Sequence, residues 1–369
     1  MELQSEGSEH PRGLIQPSPA EKEKDPILME TSPLMADNYP GCRPFIREAF
    51  VKKGFPEEAI ASIVASVADS TLKQYDTWFK KWWGFCCDIN HDKWSYDLTT
   101  FIKFLSIQVD NSNSYSSINA CKSALSFVLP IDTRDEGIIK RYLKGIYNQR
   151  PPRPKYNTTW DPHPVLSLLE NMFPLSTLSL EKLSHKLVTL LAIITAHRVQ
   201  TFSKIRLSYI NQFDDRIEIL IPDTVKTSGK NKFQPVLKLP FFRDKPGLCL
   251  ASTVLFYLNT TKSLRADNND YLILTHRKPY HTATSQTISR WIRSTLKSAG
   301  VDTSKFSGHS TRHASTSAAY RGGVNIEEIR KYAGWTEKSN VFNKFYNKPI
   351  STPADLFAKG VLQGSSITC

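Results

Sequence analysis

The sequence has few of the features that mark secreted, membrane-spanning or zinc-binding proteins. Its six cysteines show no C-x-x-C spacing, which argues against a zinc ribbon and favours a reduced intracellular compartment. Its longest apolar run, residues 187–196, is shorter than the roughly 18 residues that a membrane span needs. The opening residues MELQSEGSEHPRG are acidic where a secretory signal is basic and then apolar. We therefore expect an intracellular protein without an export signal and without membrane contact.

Nucleotide-binding loops and metal-ligand patterns are missing as well. The chain contains no Gly-rich phosphate loop, no dinucleotide fingerprint and no internal repeat. His309 and His313 are four residues apart, as two ligands on one helical face would be. Ser310 stands where the zincin pattern requires a glutamate. The sequence therefore predicts no cofactor and no metal site, and it predicts His313 to be a packed core residue.

An excess of basic residues is the main compositional signal. The formal net charge is +13 and the pI is near 9.3, which favours a polyanionic partner over an acidic small molecule. Lysine-rich surfaces also occur on proteins that bind no nucleic acid, so charge alone leaves the question open. The 369 residues are enough for about two domains, each with its own core.

Changes in composition along the chain predict its division into segments. A stretch rich in Pro, Ser, Glu and Lys predicts disorder, and a later basic stretch with five prolines predicts a linker. The predicted segments are a disordered lead-in at residues 1–57, a helical domain at 58–148, a linker at 149–164, and a second domain with a C-terminal tail at 165–369.

The first domain is predicted to be all-helical. Ser70 could cap a helix whose aromatic residues recur every three or four positions, a spacing more typical of a buried stripe than of base stacking. These aromatic residues are Tyr75, Trp78, Phe79, Trp82 and Phe85. Further helices are expected at residues 98–108, 116–128 and 136–147.

The second domain is predicted to be α+β with a small hairpin. A strongly apolar helix at residues 180–196 leads to Arg198, an arginine held at the end of a buried element. Two β-rich segments, residues 216–221 and 234–239, flank a turn, with Lys226 near the hairpin tip. Other helices are expected at residues 165–172, 250–258 and 285–299.

The stretch of residues 306–349 brings together groups that suit phosphate chemistry. His309 and Arg312 share one helical turn, Trp335 follows a glycine, and Tyr346 closes a short segment. Breaking a phosphodiester without a metal needs cations on the phosphate oxygens, a nucleophile, and an acid for the departing oxygen. Arginine forks suit the first task and a phenol assisted by a base suits the second.

These residues, in this order, resemble the tyrosine recombinase (phage integrase-like) family. The similarity covers roughly residues 60–360, and the phrases TAHRVQT, AGWTEKS and FYNKP are most like the recombinases of eukaryotic Crypton and DIRS transposable elements. The resemblance implies a mainly α protein. Its N-terminal domain would be the SAM-like, helical core-binding domain, and its C-terminal domain would be catalytic.

The resemblance also implies a role for each residue. Arg198 and Arg312 would bind the phosphate, Lys226 would be the general acid, and Tyr346 would be the nucleophile. His309 would be the histidine of the second motif, and Trp335 would occupy the later His/Trp position. The family acts on double-stranded DNA as a homotetramer through 3′-phosphotyrosyl links, without a metal or nucleotide. A eukaryotic element would place the protein in the nucleus.

Some positions depart from the family pattern or leave alternatives open. Ala196 stands where a glycine is frequent, and Thr201 stands where an acidic residue is frequent. Lys230 and Lys232 lie in the same hairpin as Lys226 and are alternative acids. Two rival functions are a DNA-binding protein that no longer cuts and a type IB topoisomerase that relaxes DNA. The tail at residues 351–363 is apolar enough to dock on a neighbouring subunit.

Overall fold

The chain divides into two compact units, each with its own hydrophobic core. The computed structural model describes residues 38–111, 113–152, 157–225, 228, 234–335, 342–350 and 362. The two units are Met1–Arg153 and Pro154–Cys369. Among the described residues, no helix has both the length and the apolar character needed to cross a bilayer.

The described part of the first unit is a bundle of six α-helices. Apolar residues repeat at helical spacing, and Asp97 and Ser114 cap two of the helices by accepting the backbone N–H of Thr100 and Ser117. The helices are α1 (Cys42–Lys52), α2 (Glu57–Ala65), α3 (Asp69–Asp88), α4 (Leu98–Asp110), α5 (Tyr115–Val128) and α6 (Glu136–Gln149).

Aromatic side chains of α3 form the centre of this first core. Trp78, Phe79 and Trp82 are buried, and the indole of Trp82 donates to the Lys93 carbonyl at 2.9 Å. Tyr75 and Phe85 pack against the same core from its edge. The prediction that the aromatic stripe is core is therefore confirmed, because these rings are covered by neighbouring helices.

Two predictions for the first unit are wrong. Residues up to 57 were expected to be disordered, but α1 is a helix whose Phe45 and Ile46 are fully buried. Pro44 lies in the first turn of α1, where a missing N–H breaks no helical bond, so proline content overstated the disorder. Ser70 does not cap α3, because the helix begins one residue earlier and Ala68 takes the N-cap position. Residues 1–37 lie outside the described part of the chain.

The second unit is built around one buried helix. Eleven of the 16 residues of α8 are buried, so neighbouring elements cover it on nearly every side. The helices of this unit are α7 (His163–Asn171), α8 (Leu180–Thr195), α9 (Val199–Phe202), α10 (Leu250–Thr261), α11 (Ser285–Ser298), α12 (Thr311–Arg321), α13 (Ile326–Tyr332) and a π-helical turn (Phe342–Tyr346). The predicted class, mainly α with a small sheet, is confirmed.

A three-stranded antiparallel sheet completes this unit, in the order β1 (Ile210–Gln212), β2 (Arg216–Leu220) and β3 (Val236–Pro240). Ile217 pairs with Leu239 and Ile219 with Leu237, and all four side chains are buried on one face. Sequence alternation predicted the second and third strands and missed β1, which has only three residues. Lys226, Lys230 and Lys232 all lie outside the described residues.

A buried lysine closes the carboxyl end of α7. Lys186 of α8 has no exposed surface, and its ammonium donates to the carbonyls of Leu169 at 2.8 Å and Met172 at 2.6 Å. These are carbonyls that a helix end leaves without intrahelical donors. Burial lowers the pKa of Lys186 to about 8, so the side chain is still mostly charged at neutral pH. The lysine thus ties α7 to α8.

The chain reverses sharply where α8 ends. Ala196 has φ 50° and ψ 20°, the left-handed conformation in which a Cβ crowds the backbone. This turn places Arg198 immediately before α9. Glycine adopts the same conformation without strain, which explains why a glycine fits this position better than alanine.

Replacing Ala196 by Gly should therefore stabilise the protein by about 1 kcal/mol, because relief of the strain exceeds the entropy that glycine adds to the unfolded chain. Urea denaturation of the two proteins measures this difference. Ala192→Gly is the matched control, since Ala192 is inside α8 with ordinary helical geometry. That variant should lose at least about 1 kcal/mol. Equal destabilisation by both changes would show that Ala196 carries no strain.

Candidate active site

The first site residue, Arg198, is placed by the turn after α8. It occupies the N-cap of α9 and is half-buried, and its carbonyl accepts the Thr201 N–H at 2.8 Å. Thr201 stands where an acidic residue is frequent in the family that the sequence resembles. It is only 4% exposed, so this position is packed in the interior. A neutral threonine there leaves Arg198 without a carboxylate partner from this helix.

The second arginine is deeply buried at the start of α12. Gly308 lies in the turn that precedes α12 and lets this turn approach α11 closely. A Cβ at this position would lie 2.9 Å from the Ser289 carbonyl oxygen. Ser310 fixes the same turn by accepting the indole N–H of Trp160 at 2.9 Å. Arg312 follows on α12 and is only 4% exposed.

The guanidinium of Arg312 is only partly satisfied. Its Nη2 donates to the Ala333 carbonyl at 2.5 Å, and its carbon lies 4.7 Å from the Trp335 ring centre and 5.5 Å from that of Tyr346. Its Nε and Nη1 are buried and have no hydrogen-bond partner among the described residues. Buried donors without a partner are rare in proteins, so these two N–H groups are available to a bound hydrogen-bond acceptor.

The electrostatics of the pocket are those of a site for an anion. Burial and, after it, the positive charge of Arg198 lower the pKa of Arg312, Tyr346 opposes the shift, and the net value is about 10. Arg312 therefore stays charged at neutral pH. Keeping this charge in the folded protein costs roughly 3 kcal/mol, given the displacement of its pKa. A bound oxoanion would recover that cost.

The carboxyl end of α13 positions Trp335. Gly334 is left-handed with φ 65°, its N–H donates to Lys331 at 3.1 Å, and the Trp335 N–H donates to Arg330 at 2.8 Å. This pair of bonds is the Schellman motif, which explains why a Gly-Trp pair follows the helix. Within the described chain, the buried indole nitrogen of Trp335 has no acceptor.

The backbone around Tyr346 docks on the same chain. The tyrosine ends the π-helical turn, in which the Asn347 N–H donates to Phe342 at 2.8 Å. The buried hydroxyl of Ser317 on α12 donates to the Tyr346 carbonyl and accepts the Lys348 N–H at 3.2 Å. Farther along, the Thr159 N–H donates to the Pro349 carbonyl at 2.8 Å.

Two rings enclose the phenol of Tyr346. His313 stacks on it with 4.3 Å between ring centres, and Trp335 tilts against it at 4.7 Å. His309 is exposed in the turn Gly308–Ser310. The sequence singled out His309 and treated His313 as core, whereas the structure places His313 half-buried against the tyrosine. No sequence signal identified this contact, because the stacking of His313 on Tyr346 depends on how α12 packs against the tyrosine segment.

A further histidine that the sequence analysis missed lies beside the arginines. The Nδ1 of His197 is 2.9 Å from the Thr195 carbonyl, which fixes the ring. Burial lowers the pKa of His197 to about 4; the hydrogen bond to Thr195 opposes the shift, and the charges of Arg312 and Arg198 add to it. His197 is therefore a neutral imidazole at physiological pH. Its position next to Arg198 in the chain was the only sequence signal.

The structure thus brings four of the six predicted site residues into one cluster: Arg198, Arg312, Trp335 and Tyr346. His309 lies on the surface of the turn that leads into the cluster. Lys226 lies outside the described residues.

Ser317→Ala should destabilise the second unit by roughly 1–3 kcal/mol, because it removes the partner of the Tyr346 carbonyl and of the Lys348 N–H. Thermal denaturation gives the loss, and faster hydrogen exchange at Asn347 gives its location. Ser315→Ala is the matched control on the same helix. The Ser315 hydroxyl is buried without a partner among the described residues, so its removal should be neutral or stabilising. Similar losses in both variants would contradict this account.

Comparison with known proteins agrees with this arrangement. The model of the phage integrase family matches residues 161–350, which is more than half of the chain. No curated protein sequence matches significantly. Among solved structures, the post-cleavage complex of the XerH site-specific recombinase has a TM-score of 0.54 at 15% identity, over 84% of this chain and 83% of that one. The pre-cleavage complex of XerH has a TM-score of 0.52 at 13% identity, over 88% and 89%.

At these identities the XerH structures establish likeness of fold, and the family match covers the cluster of arginines, tryptophan and tyrosine described above. The arginine pair, at the N-cap of α9 and at the start of α12, is held by elements that the family model spans. The chain belongs to the phage integrase family of tyrosine recombinases.

Proposed function

We propose that the protein is a site-specific DNA recombinase or integrase that cleaves and rejoins DNA through a 3′-phosphotyrosyl intermediate. The observation that carries this proposal is the buried guanidinium of Arg312, with two donors unpaired among the described residues and a phenol beside it. A phosphodiester would supply the missing acceptors and place its phosphorus near Tyr346. Site remnants persist in proteins that have lost activity, so the chemistry needs its own test.

In the proposed reaction, the two arginines bind the non-bridging oxygens of the scissile phosphate. Arg312 offers Nε and Nη1, Arg198 offers a second fork, and the indole N–H of Trp335 is a third donor. These donors are fixed before the reaction by α12, α9 and the end of α13. They therefore stabilise the charge that grows on the phosphate without further reorganisation.

The tyrosine then attacks phosphorus. The phenol oxygen of Tyr346 forms the new P–O bond as the bond from phosphorus to the 5′ oxygen breaks. The phenol proton passes to a base, for which His309 is the proposed group, and the 5′ oxygen takes a proton from Lys226. Lys230 and Lys232 are the alternative acids in that hairpin. Attack by another 5′ hydroxyl on the phosphotyrosine reverses these steps and reseals the strand.

The first unit is the proposed core-binding domain, of the SAM-like type, at residues 58–148. A groove between α5 and α6 is lined by Lys122, Lys140 and Lys144, which could follow a phosphate backbone. The basic residues of the linker at 149–164 are further candidates for phosphate contacts. The XerH structures are of a site-specific recombinase bound to a difH substrate, which supports a recombination site as the partner proposed for this chain.

The proposed biological role is integration or excision of a transposable element. The support is the amino-acid sequence of three motifs, TAHRVQT, AGWTEKS and FYNKP, which resemble those of Crypton and DIRS recombinases. A eukaryotic element would require action in the nucleus. Terminal repeats or an adjacent reverse transcriptase in the DNA flanking the gene would identify the element, and flanking DNA without either would count against this role.

A DNA-binding protein that no longer cuts is the second candidate. Thr201 favours it, because a buried threonine cannot orient Arg198 as a carboxylate would. The two functions differ only in the covalent step. A type IB topoisomerase would also form the covalent link, but would not join two separate DNA molecules.

A suicide DNA substrate tests the covalent step. The protein is incubated with nicked DNA from its own element ends, denatured, and examined for a protein–DNA adduct. The wild type should form an adduct, and Tyr346→Phe should form none because it lacks the attacking hydroxyl. Tight binding without any wild-type adduct favours the inactive protein. An adduct in Tyr346→Phe would exclude this tyrosine as the nucleophile, and joining of two labelled sites distinguishes a recombinase from a topoisomerase.

Arg312→Ala should abolish cleavage and leave DNA affinity nearly unchanged, because most affinity comes from many distributed phosphate contacts. Arg312→Lys is the matched control: it keeps the charge and loses the planar fork, and cleavage should still fall by roughly 100-fold. Adduct formation and salt-corrected affinity are measured for each variant. A large loss of affinity in Arg312→Ala would contradict the proposal that Arg312 serves cleavage while other phosphate contacts supply most of the affinity.

We propose further that the protein acts as a homotetramer on DNA, with each C-terminal tail docked on a neighbour in a head-to-tail ring. Deleting residues 355–369 removes the apolar part of the tail. Native gel shifts should then lose the multimeric complexes and retain the complex of one protein with one site. Undiminished multimers in the deletion variant would exclude the tail as the contact.

A further inference from the structure

Two imidazoles and a carboxylate meet at the amino end of α8. Glu181, His185 and His276 each offer one ligand atom, and these atoms lie within 4.8 Å of one another. Glu181 and His185 are four apart and project from the same face of α8. His276 comes from the segment that follows Leu274. The sheet and the helices α9 and α10 separate this segment from α8 along the chain. Bonds of about 2.0–2.2 Å require the ligand atoms to lie no more than roughly 4.4 Å apart, so a small side-chain rotation would let a single ion reach all three.

These groups do not satisfy one another by hydrogen bonding. His185 Nε2 and His276 Nδ1 are buried and have no hydrogen-bond partner in the part of the chain that the structure describes. The distance from His276 Nε2 to Glu181 Oε1 is 3.8 Å, which is too long for a hydrogen bond. Buried imidazole nitrogens normally have a donor, an acceptor or a metal. Each imidazole therefore has one buried nitrogen that no group in the described part of the chain satisfies.

The surroundings hold both imidazoles in place. Trp291 of α11 packs on His185 with 5.7 Å between ring centres and on His276 with 5.0 Å. The Glu181 side chain is 53% exposed, so the cluster opens to solvent on one side. That side gives an ion a route in and leaves space for water as a fourth ligand.

We propose that Glu181, His185 and His276 bind one divalent transition-metal ion, with Zn²⁺ the best match. Two nitrogen ligands and one carboxylate oxygen suit zinc, whereas Mg²⁺ and Ca²⁺ prefer oxygen ligands alone. The ion would fasten the segment that carries His276 to α8. His185 lies about 15 Å along the helix axis from the end of α8 that leads to Arg198. The metal is therefore structural and takes no part in strand transfer.

Metal binding by the full-length protein tests this proposal. Cys87 is an exposed thiol and Cys369 is a second cysteine that could bind zinc, so both are changed to Ser in the background protein. The protein is stripped with a chelator, titrated with ZnCl₂, and analysed for bound metal and melting temperature. We expect one equivalent of zinc. At free zinc about 100 times the dissociation constant, Tm should rise by roughly 5–10 °C.

Three variants and one control locate the site. His185→Phe and His276→Phe keep the ring packing on Trp291 and remove the ligand nitrogen, so each should lose the zinc-dependent rise in Tm. Glu181→Gln changes an exposed side chain that folding does not need, and should weaken zinc binding by roughly tenfold or more. His281→Ala, an exposed histidine of the same segment, should bind zinc like the parent protein.

The result that overturns the proposal is the absence of stoichiometric zinc in the parent protein, or equal zinc affinity in the parent and in Glu181→Gln. If the phenylalanine variants fail to fold, the comparison with Glu181→Gln decides the matter by itself. The experiment uses no DNA and measures no strand transfer. Its outcome is therefore independent of whether the protein is an active recombinase.

Discussion

The charge of Arg312 is the constraint on which the rest of the second unit depends. It is buried beneath Trp335 and Tyr346, with one donor bonded to the Ala333 carbonyl and two donors unpaired among the described residues. An uncompensated buried cation opposes folding, so the core around α8 must supply the stability that the site consumes. This is the arrangement expected of an anion-binding site that forms at the expense of stability.

The tyrosine segment solves a different physical problem. A tyrosine at the end of a short π-helical turn would be poorly positioned if only its own turn held it. Ser317 satisfies the backbone on both sides of Tyr346, and His313 and Trp335 restrict the ring from two faces. The hydroxyl is thereby directed by packing, while its backbone is directed by hydrogen bonds. Both kinds of contact come from α12 and α13 of the same chain.

Local pattern predicted the regular elements well and the irregular ones poorly. Long amphipathic helices such as α4, α5 and α11 begin and end close to where periodicity placed them, because burial of one face dominates their formation. The short strand β1 has too few residues for a pattern and forms only because β2 is beside it. Helix α1 was missed since proline content was taken as disorder, although a proline in the first turn breaks no bond.

The site residues likewise fall into those that the sequence predicted and those that it missed. Arg198, Arg312, Trp335 and Tyr346 were found because each stands in a motif whose order along the chain is informative. The roles of His197 and His313 were missed. Whether a ring lies beside two arginines or stacks on a phenol depends on distances in the folded protein, which the order of residues does not encode. The cluster of Glu181, His185 and His276 joins residues some ninety positions apart, a separation at which sequence spacing carries no signal.

By itself, the sequence determined the helical class, the apolar faces that bury the two cores, and the chemical types available for phosphate binding. These properties follow from side-chain periodicity and functional-group chemistry, which are local. Only the tertiary structure decided which histidine contacts Tyr346, and that Arg312 is buried with unpaired donors. It also decided that two distant histidines share one pocket. Burial and contact are collective, since they depend on every element packed around a residue, and no single segment encodes them.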